Sequence, residues 1–173
     1  MKHSRLHAGA ALALVLGLAG CGLKKNTKAA EAEVDRFHQH WNAGEFKAVH
    51  DEAHANFRSA QTADQTVATL ERVKRNYGAF KNTTKRSWGF SSDNGMTDIK
   101  LKYDSVYEHG SAVEAFLYRM TGEKALLVSY DIMSPETAKK READEKTERE
   151  EKRKADEEKR QAEREARKQS KRP

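Results

Sequence analysis

Apolar residues fall along this chain in three regimes. The first is an unbroken run, Ala8 to Ala19, entered from Lys2, His3 and Arg5 and closed by Gly20 and Cys21. The second recurs every three or four residues: Ala29, Ala30, Val34, Phe37 and Trp41 form one stripe, with Glu31, Glu33, Asp35 and Arg36 between them. That period predicts an amphipathic helix, which Asn42, Ala43 and Gly44 stop. A short helix carrying Phe46, Val49 and Ala53 follows, with Phe57 leading out of it. Thr62-Ala63-Asp64-Gln65 then has the spacing of a capping box, opening a helix with Val67, Leu70, Val73 and Tyr77 on one face and Gly78 at its end. From Phe80 the period changes to two. Ser87 to Ser92 is a weak strand with Trp88 and Phe90 on one side, and Asp93-Asn94-Gly95 is a hairpin turn. Ile99, Leu101, Tyr103 and Tyr107 share one face of the next strand; Val113 to Met120 and Ala125 to Met133 make two more, joined through Thr121-Gly122-Glu123. Apolar residues on both faces, such as Leu126, Leu127 and Val128, predict that the last two strands are central in the sheet.

The pattern therefore predicts an α+β fold, three N-terminal helices packed on a four-stranded antiparallel meander. The first regime is different in kind. A membrane-spanning helix needs about 20 apolar residues, and Ala8 to Ala19 ends well short of that before Lys24 and Lys25. A basic flank, an apolar core and small residues before a cysteine make a secretory signal. Leu18-Ala19-Gly20-Cys21 resembles the bacterial lipobox at all its positions. The resemblance implies that Cys21 takes a diacylglycerol on its thiol, becomes the mature amino terminus and carries acyl chains such as palmitate. More than one long chain makes anchoring stable, at about 0.8 kcal/mol per buried methylene. Gly22 rather than Asp after the cysteine implies, by the same resemblance, the outer membrane with the protein facing the periplasm. The predicted organisation is a signal peptide over 1–20, a lipidated polar tether over 21–28, the α+β domain over 29–134 and a charged tail over 135–173.

Charge sharpens these boundaries. Residues 21–135 hold 16 Lys and Arg against 15 Asp and Glu, so the net +6 of the chain arises mainly outside the domain. Basic and acidic residues interleave rather than cluster with stacking aromatics, which excludes a nucleic-acid surface. Cys21 is the only cysteine, so no intramolecular disulfide forms and stability rests on an ordinary core. Residues 136–173 contain no Val, Ile, Leu, Met, Phe, Trp or Tyr, and 15 basic and 12 acidic side chains. Such a segment has nothing to bury, but its acid-before-base pairs four apart, Glu142 with Lys146 and Glu145 with Arg149 among them, support a solvated single helix. Ser134-Pro135-Glu136 has the order of a helix start. The absence of an apolar seam argues against a coiled coil, and a full helix would reach about 57 Å at 1.5 Å per residue. The tail is expected to be helical or disordered, and to touch peptidoglycan or another envelope component if it has a partner.

Candidate chemistry is sparse. His50 and His54 have the four-residue spacing that lets two imidazoles on one helix reach a zinc ion, with His38, His40 or His109 as third ligands. Asp51 stands where metalloproteases have Glu, so a solvated helix face is the default reading and no cofactor is expected. No Gly-x-Ser-x-Gly elbow or phosphate-binding glycine loop occurs.

The body from Ala29 to Ser134 resembles the cystatin-like, nuclear-transport-factor-like (ketosteroid-isomerase-like) cone, particularly small bacterial lipoproteins of unknown function that share it. Phe37, Trp41, Ala43-Gly44-Glu45-Phe46, Phe57-Arg58, the Gly78 helix end and Leu126 to Ile132 carry the resemblance. It implies an apolar pocket open at one end, lined by Trp41, Phe57, Trp88, Tyr103, Tyr107, Phe116 and Tyr130. Some relatives of this fold are isomerases or dehydratases. Catalysis there would require a carboxylate raised in pKa by burial, and Asp104, Glu114 and Asp131 in the strands are the candidates. Aromatics at this spacing are more often plain core. The expected role is non-catalytic binding at the envelope; the alternative is a small apolar ligand site, isomerase-type, in the cone. The oligomeric state is left open.

Overall fold

The computed structural model describes residues 16–169, with side chains placed for 22–164. The chain divides into two units, residues 1–132 and 133–173.

In the first unit the helices are α1 (Leu16–Ala43), α2 (Phe46–Glu52), α3 (Ala55–Ala60) and α4 (Ala63–Tyr77). The strands β1 (Phe80–Asp93), β2 (Met96–Tyr107), β3 (Gly110–Thr121) and β4 (Lys124–Met133) form one sheet in the order β1-β2-β3-β4. This is the α+β antiparallel meander the periodicity predicts, and the sheet is open rather than closed into a barrel. The predicted second helix is followed by a further short one, α3, because His54 turns the chain and caps it: its Nδ1 accepts from Asn56 N at 3.1 Å.

Each terminator acts as its chemistry requires. Gly44 ends α1 at φ +75°, its amide donating to Trp41 O at 3.2 Å, and the Lys74 ammonium donates to the carbonyls of Trp41 (2.7 Å) and Asn42 (3.0 Å) at the same helix end. The capping box at the start of α4 is complete, Gln65 N donating to Thr62 Oγ1 at 3.2 Å and Thr62 N to Gln65 Oε1 at 2.8 Å. The Asn42 side-chain amide pairs with both backbone groups of Phe80, at 2.8 and 3.1 Å, and so fixes where β1 begins. Asn94 and Gly95, both at positive φ, make the two-residue turn between β1 and β2.

The core lies between the helices and one face of the sheet. Ala30, Val34, Phe37 and Trp41 of α1 meet Ile99, Leu101, Tyr103 and Tyr107 of β2 and Phe116 and Tyr118 of β3, all buried.

Two expectations are corrected. α1 does not begin at Ala29: it runs unbroken from Leu16, and Leu23 packs against the core, so residues 22–28 are helix rather than a tether. The helical period extends back through this stretch: Leu23, Asn26, Thr27 and Ala30 face inward while Lys24, Lys25 and Lys28 are exposed. Nor is β4 central. A meander puts its last strand at the edge whatever its composition, and Leu126 and Val128 are accordingly half-buried while Ala125 and Leu127 face the core.

Residues 1–15 of the expected signal peptide and the last four residues of the tail lie outside the described residues. Leu18, Ala19, Gly20 and Cys21 fall in the opening turns of α1, with their side chains outside the described ones.

In the second unit, α5 (Pro135–Gln169) is a single helix of 35 residues. Ser134 caps it, its Oγ accepting from Thr137 N at 3.2 Å, and Pro135 takes the first helical position. The backbone amide and the Ser134 hydroxyl beside Glu136 hold its carboxyl below the usual range.

Candidate functional site

The alternation of β3 places Ala112, Glu114, Phe116 and Tyr118 on the helix-facing side of the sheet. Glu114 is thereby carried into the core, opposite Tyr103 in the register, and is 0% exposed. On β2 the same face carries Ser105 and Tyr107, so a serine stands within an otherwise apolar stripe. α1 brings His38 from the stripe of Val34, Phe37 and Trp41, and β4 brings Tyr130.

These side chains converge on one carboxylate. His38 Nε2 lies 2.9 Å from Glu114 Oε2, and the Ser105 hydroxyl donates to the same oxygen. The Tyr107 and Tyr130 hydroxyls donate to Oε1 at 2.7 and 2.8 Å. The Ser105 oxygen also lies 2.9 Å from Thr83 Oγ1, whose one proton is shared between it and the Asp104 carbonyl at 3.2 Å. The His38 ring stacks on Phe80 with centroids 3.7 Å apart, and its buried Nδ1 has no hydrogen-bond partner among the described residues.

Burial alone would push the Glu114 carboxyl up. The hydrogen bond and charge of His38, followed by the bonds from Ser105 and Tyr107, outweigh it and hold the group below its ordinary value. Burial, then the Glu114 charge, raises both the Tyr107 and Tyr130 hydroxyls, so both stay protonated as donors. A carboxylate offers about four lone-pair positions, and here each oxygen receives two donors. Glu114 is a saturated acceptor that ties α1, β2, β3 and β4 together, with no lone pair left to take a proton from a substrate. Of the other two candidate carboxylates, Asp104 points to the opposite, exposed face and Asp131 is half-buried.

The aromatics expected to line a pocket mostly fill space instead. Trp41, Tyr103, Tyr107 and Phe116 are core residues in mutual edge or tilted contact, and Trp41 Nε1 donates to Gly78 O at 3.0 Å. Phe57 and Tyr130 border one cleft of about 80 Å³, together with Val49, Gln61 and Leu70. A second, of about 30 Å³, lies among Arg36, His40, Glu52 and Tyr118. Neither approaches the roughly 300–1,000 Å³ of ligand pockets, and neither Glu114 nor His38 lines them. Trp88 is not part of this packed group: it is half-exposed at 50%, stacks on Phe90, and stands across from Leu101 on edge strand β1.

His50 and His54 do not share a helix. α2 ends at Glu52, so His50 lies in its last turn with Nε2 at 3.2 Å from the Gln61 carbonyl, while His54 caps α3. Ala53 in extended conformation between them removes the helical spacing on which the zinc reading rested. His40 contacts Glu45 and Glu52, at 2.8 and 3.3 Å. Among the described residues no group of three or more His, Cys, Asp or Glu is placed to hold a metal ion.

Two members of the cluster, His38 and Ser105, were not anticipated in these roles. Their signal was positional: a histidine on the apolar stripe of a helix, and a serine at the core phase of a strand. No protein-family model matches the chain, and no curated protein matches it.

Proposed function

We propose that this chain is a bacterial envelope lipoprotein, acylated on Cys21 and held by that lipid at the outer membrane facing the periplasm, with a non-catalytic binding role. The observation that carries the reading is Leu18-Ala19-Gly20-Cys21 behind the basic and apolar leader, in a chain with no other cysteine. No described helix is long and apolar enough to cross a membrane, so a lipid on Cys21 would be the means of attachment. A cone-like body of the cystatin or nuclear-transport-factor kind is consistent with the helices and meander. The saturated Glu114 carboxylate, which lines neither of the clefts beside the core aromatics, supports binding at a surface over catalysis in a pocket. The charged helix α5 is the surface we assign to an envelope polymer such as peptidoglycan.

The test is expression in a Gram-negative host fed labelled palmitate. Acylated, leader-free protein should appear in the membrane fraction, and Cys21→Ser should abolish the label and leave the leader uncleaved. If Cys21→Ser is processed and fractionates like the wild type, the reading fails. Loss of sedimentation with purified peptidoglycan on deleting residues 136–173 would support the tail's part, and retention would refute it.

A further inference from the structure

Trp88 and Phe90 pair in register with Leu101 and Ile99, so the two aromatics stand on the core-facing side of the sheet. Leu101 and Ile99 are 0% exposed, yet Trp88 and Phe90 are 50% and 53% exposed, their rings 6.5 Å apart at 20°. A register shift between Lys85 and Ser87 adds a local irregularity just before the pair. Between this part of β1 and the opening turns of α1 runs a groove of about 360 Å³, walled by Leu23, Lys24, Lys28, Lys85 and Trp88.

Two features select the occupant. The groove is lined by Lys24, Lys28 and Lys85 and by one acid, Glu31, which pairs with Lys85 at 2.5 Å, so the lining is net positive and Lys24 and Lys28 carry that charge. The groove also begins next to the acylation position: Cys21 precedes Leu23 by two residues in one unbroken helix, an advance of about 3 Å. With no flexible spacer, a lipid on Cys21 would hold this end of the domain at headgroup depth. Half-exposed Trp beside Lys is the composition of a membrane interface, the ring sitting at the apolar boundary and the ammonium groups among phosphates. A second copy of the chain is a poorer occupant, because its lysines would face these.

We infer that the groove between α1 and β1 at Trp88, with the exposed Phe90 stacked beside it, is a membrane-contact surface that seats the domain on anionic phospholipid headgroups beside the Cys21 lipid. The inference rests on the acylation proposed above.

The experiment uses the full chain, purified with its lipid and reconstituted into phosphatidylethanolamine–phosphatidylglycerol vesicles containing phospholipids brominated near the top of the acyl chain. Trp41, fully buried, is the internal reference. Bromolipid should quench the Trp88 component of the emission, and Trp88→Phe should remove that quenching while leaving Trp41 unchanged. For an unlipidated Cys21→Ser chain produced without residues 1–20, replacing Lys24 or Lys28 by Gln should weaken binding to anionic vesicles about fivefold each. An intact mass lacking acyl chains on Cys21 overturns both this inference and the acylation it rests on. Acylated, vesicle-bound protein whose Trp88 stays open to aqueous acrylamide and untouched by bromolipid overturns this inference alone. Trp88 shielded from acrylamide yet unquenched by bromolipid also overturns it, in favour of a protein occupant.

Discussion

His38 and Glu114 are 76 residues apart in the chain and 2.9 Å apart in the core, Nε2 against Oε2. The contact joins the first helix to the third strand, so the polar network cannot form until the meander and α1 have come together. Removing one side of a buried, hydrogen-bonded ionic group leaves the rest uncompensated, at about 3–5 kcal/mol. Glu114→Ala is expected to lose that much, since four donors forfeit their acceptor. Glu114→Gln, which keeps a carbonyl oxygen, should lose less. Urea unfolding followed by Trp41 fluorescence in a Trp88→Phe background measures both, and a loss under 1 kcal/mol for Glu114→Ala would show that the network is dispensable.

The same network sets a pH dependence. The folded Glu114 carboxyl lies below its ordinary 4.5, and the Arg119 guanidinium, donating to both Asp98 oxygens at 2.7 and 2.8 Å, likewise holds Asp98 below 3.8. As pH falls, the unfolded carboxylates bind protons first, which favours unfolding. Stability is therefore fully present above about pH 5 and declines as pH drops through the ordinary carboxylate range toward the lower folded values. Urea midpoints between neutral pH and about pH 3 should show this decline, and Glu114→Gln should flatten it. An unchanged slope in that variant would assign the acid sensitivity to other carboxylates.

Much of this architecture was legible because it is local. Thr62 and Gln65 satisfy one another within a single turn, Asn94-Gly95 dictates its own hairpin, and Ser134-Pro135 announces α5. The core phase of β2 followed from alternation alone. What escaped depended on partners far away in sequence. Glu114 was recognisable as a strand carboxylate, but whether it faced solvent or core turned on the phase of β3 against α1. His38 lay on an apolar stripe, yet only the fold supplies the Glu114 that makes it a core residue. Trp88 has the right alternation for the core face, yet it borders an open groove beside α1 and stays half-exposed, which no local pattern encodes. His50 and His54 misled for the opposite reason: their spacing assumed a helix that Ala53 breaks.

Gly78 offers a sharper test of packing. At φ +78° it closes α4, its amide donating to Lys74 O at 2.7 Å and its carbonyl accepting from Trp41 Nε1. A Cβ there would stand 2.7 Å from Glu108 Cβ and 3.0 Å from the His109 ring, because the chain at 77–79 runs beside the β2–β3 turn. Gly78→Ala should cost about 2–4 kcal/mol, combining the strain of φ +78°, ψ −154°, a region essentially confined to glycine, with overpacking. Gly122→Ala, at φ +62° with open space around it, should cost only about 1 kcal/mol. Thermal unfolding of the two variants side by side separates the terms, and equal losses would mean that Glu108 and His109 yield freely.

The last prediction concerns α5, which buries no large apolar side chain and must be helical by local means. Its start is capped by Ser134, and Arg149 pairs with Glu145 at 2.9 Å while Arg153 reaches Glu157 at 4.0 Å, each four residues apart. Such pairs contribute about 0.2–0.5 kcal/mol each and are screened by salt, while a helix of this length repays its nucleation cost many times over. A peptide of residues 134–169 should therefore be helical by circular dichroism in low salt. It should lose part of that signal near 1 M salt, where the Debye length shrinks to about 3 Å. Ser134→Ala should fray the first turn at a cost of about 1 kcal/mol. A coil spectrum in low salt would show that the helix requires the intact chain, and salt-independent helicity would assign its stability to backbone propensity rather than to the Glu–Arg pairs.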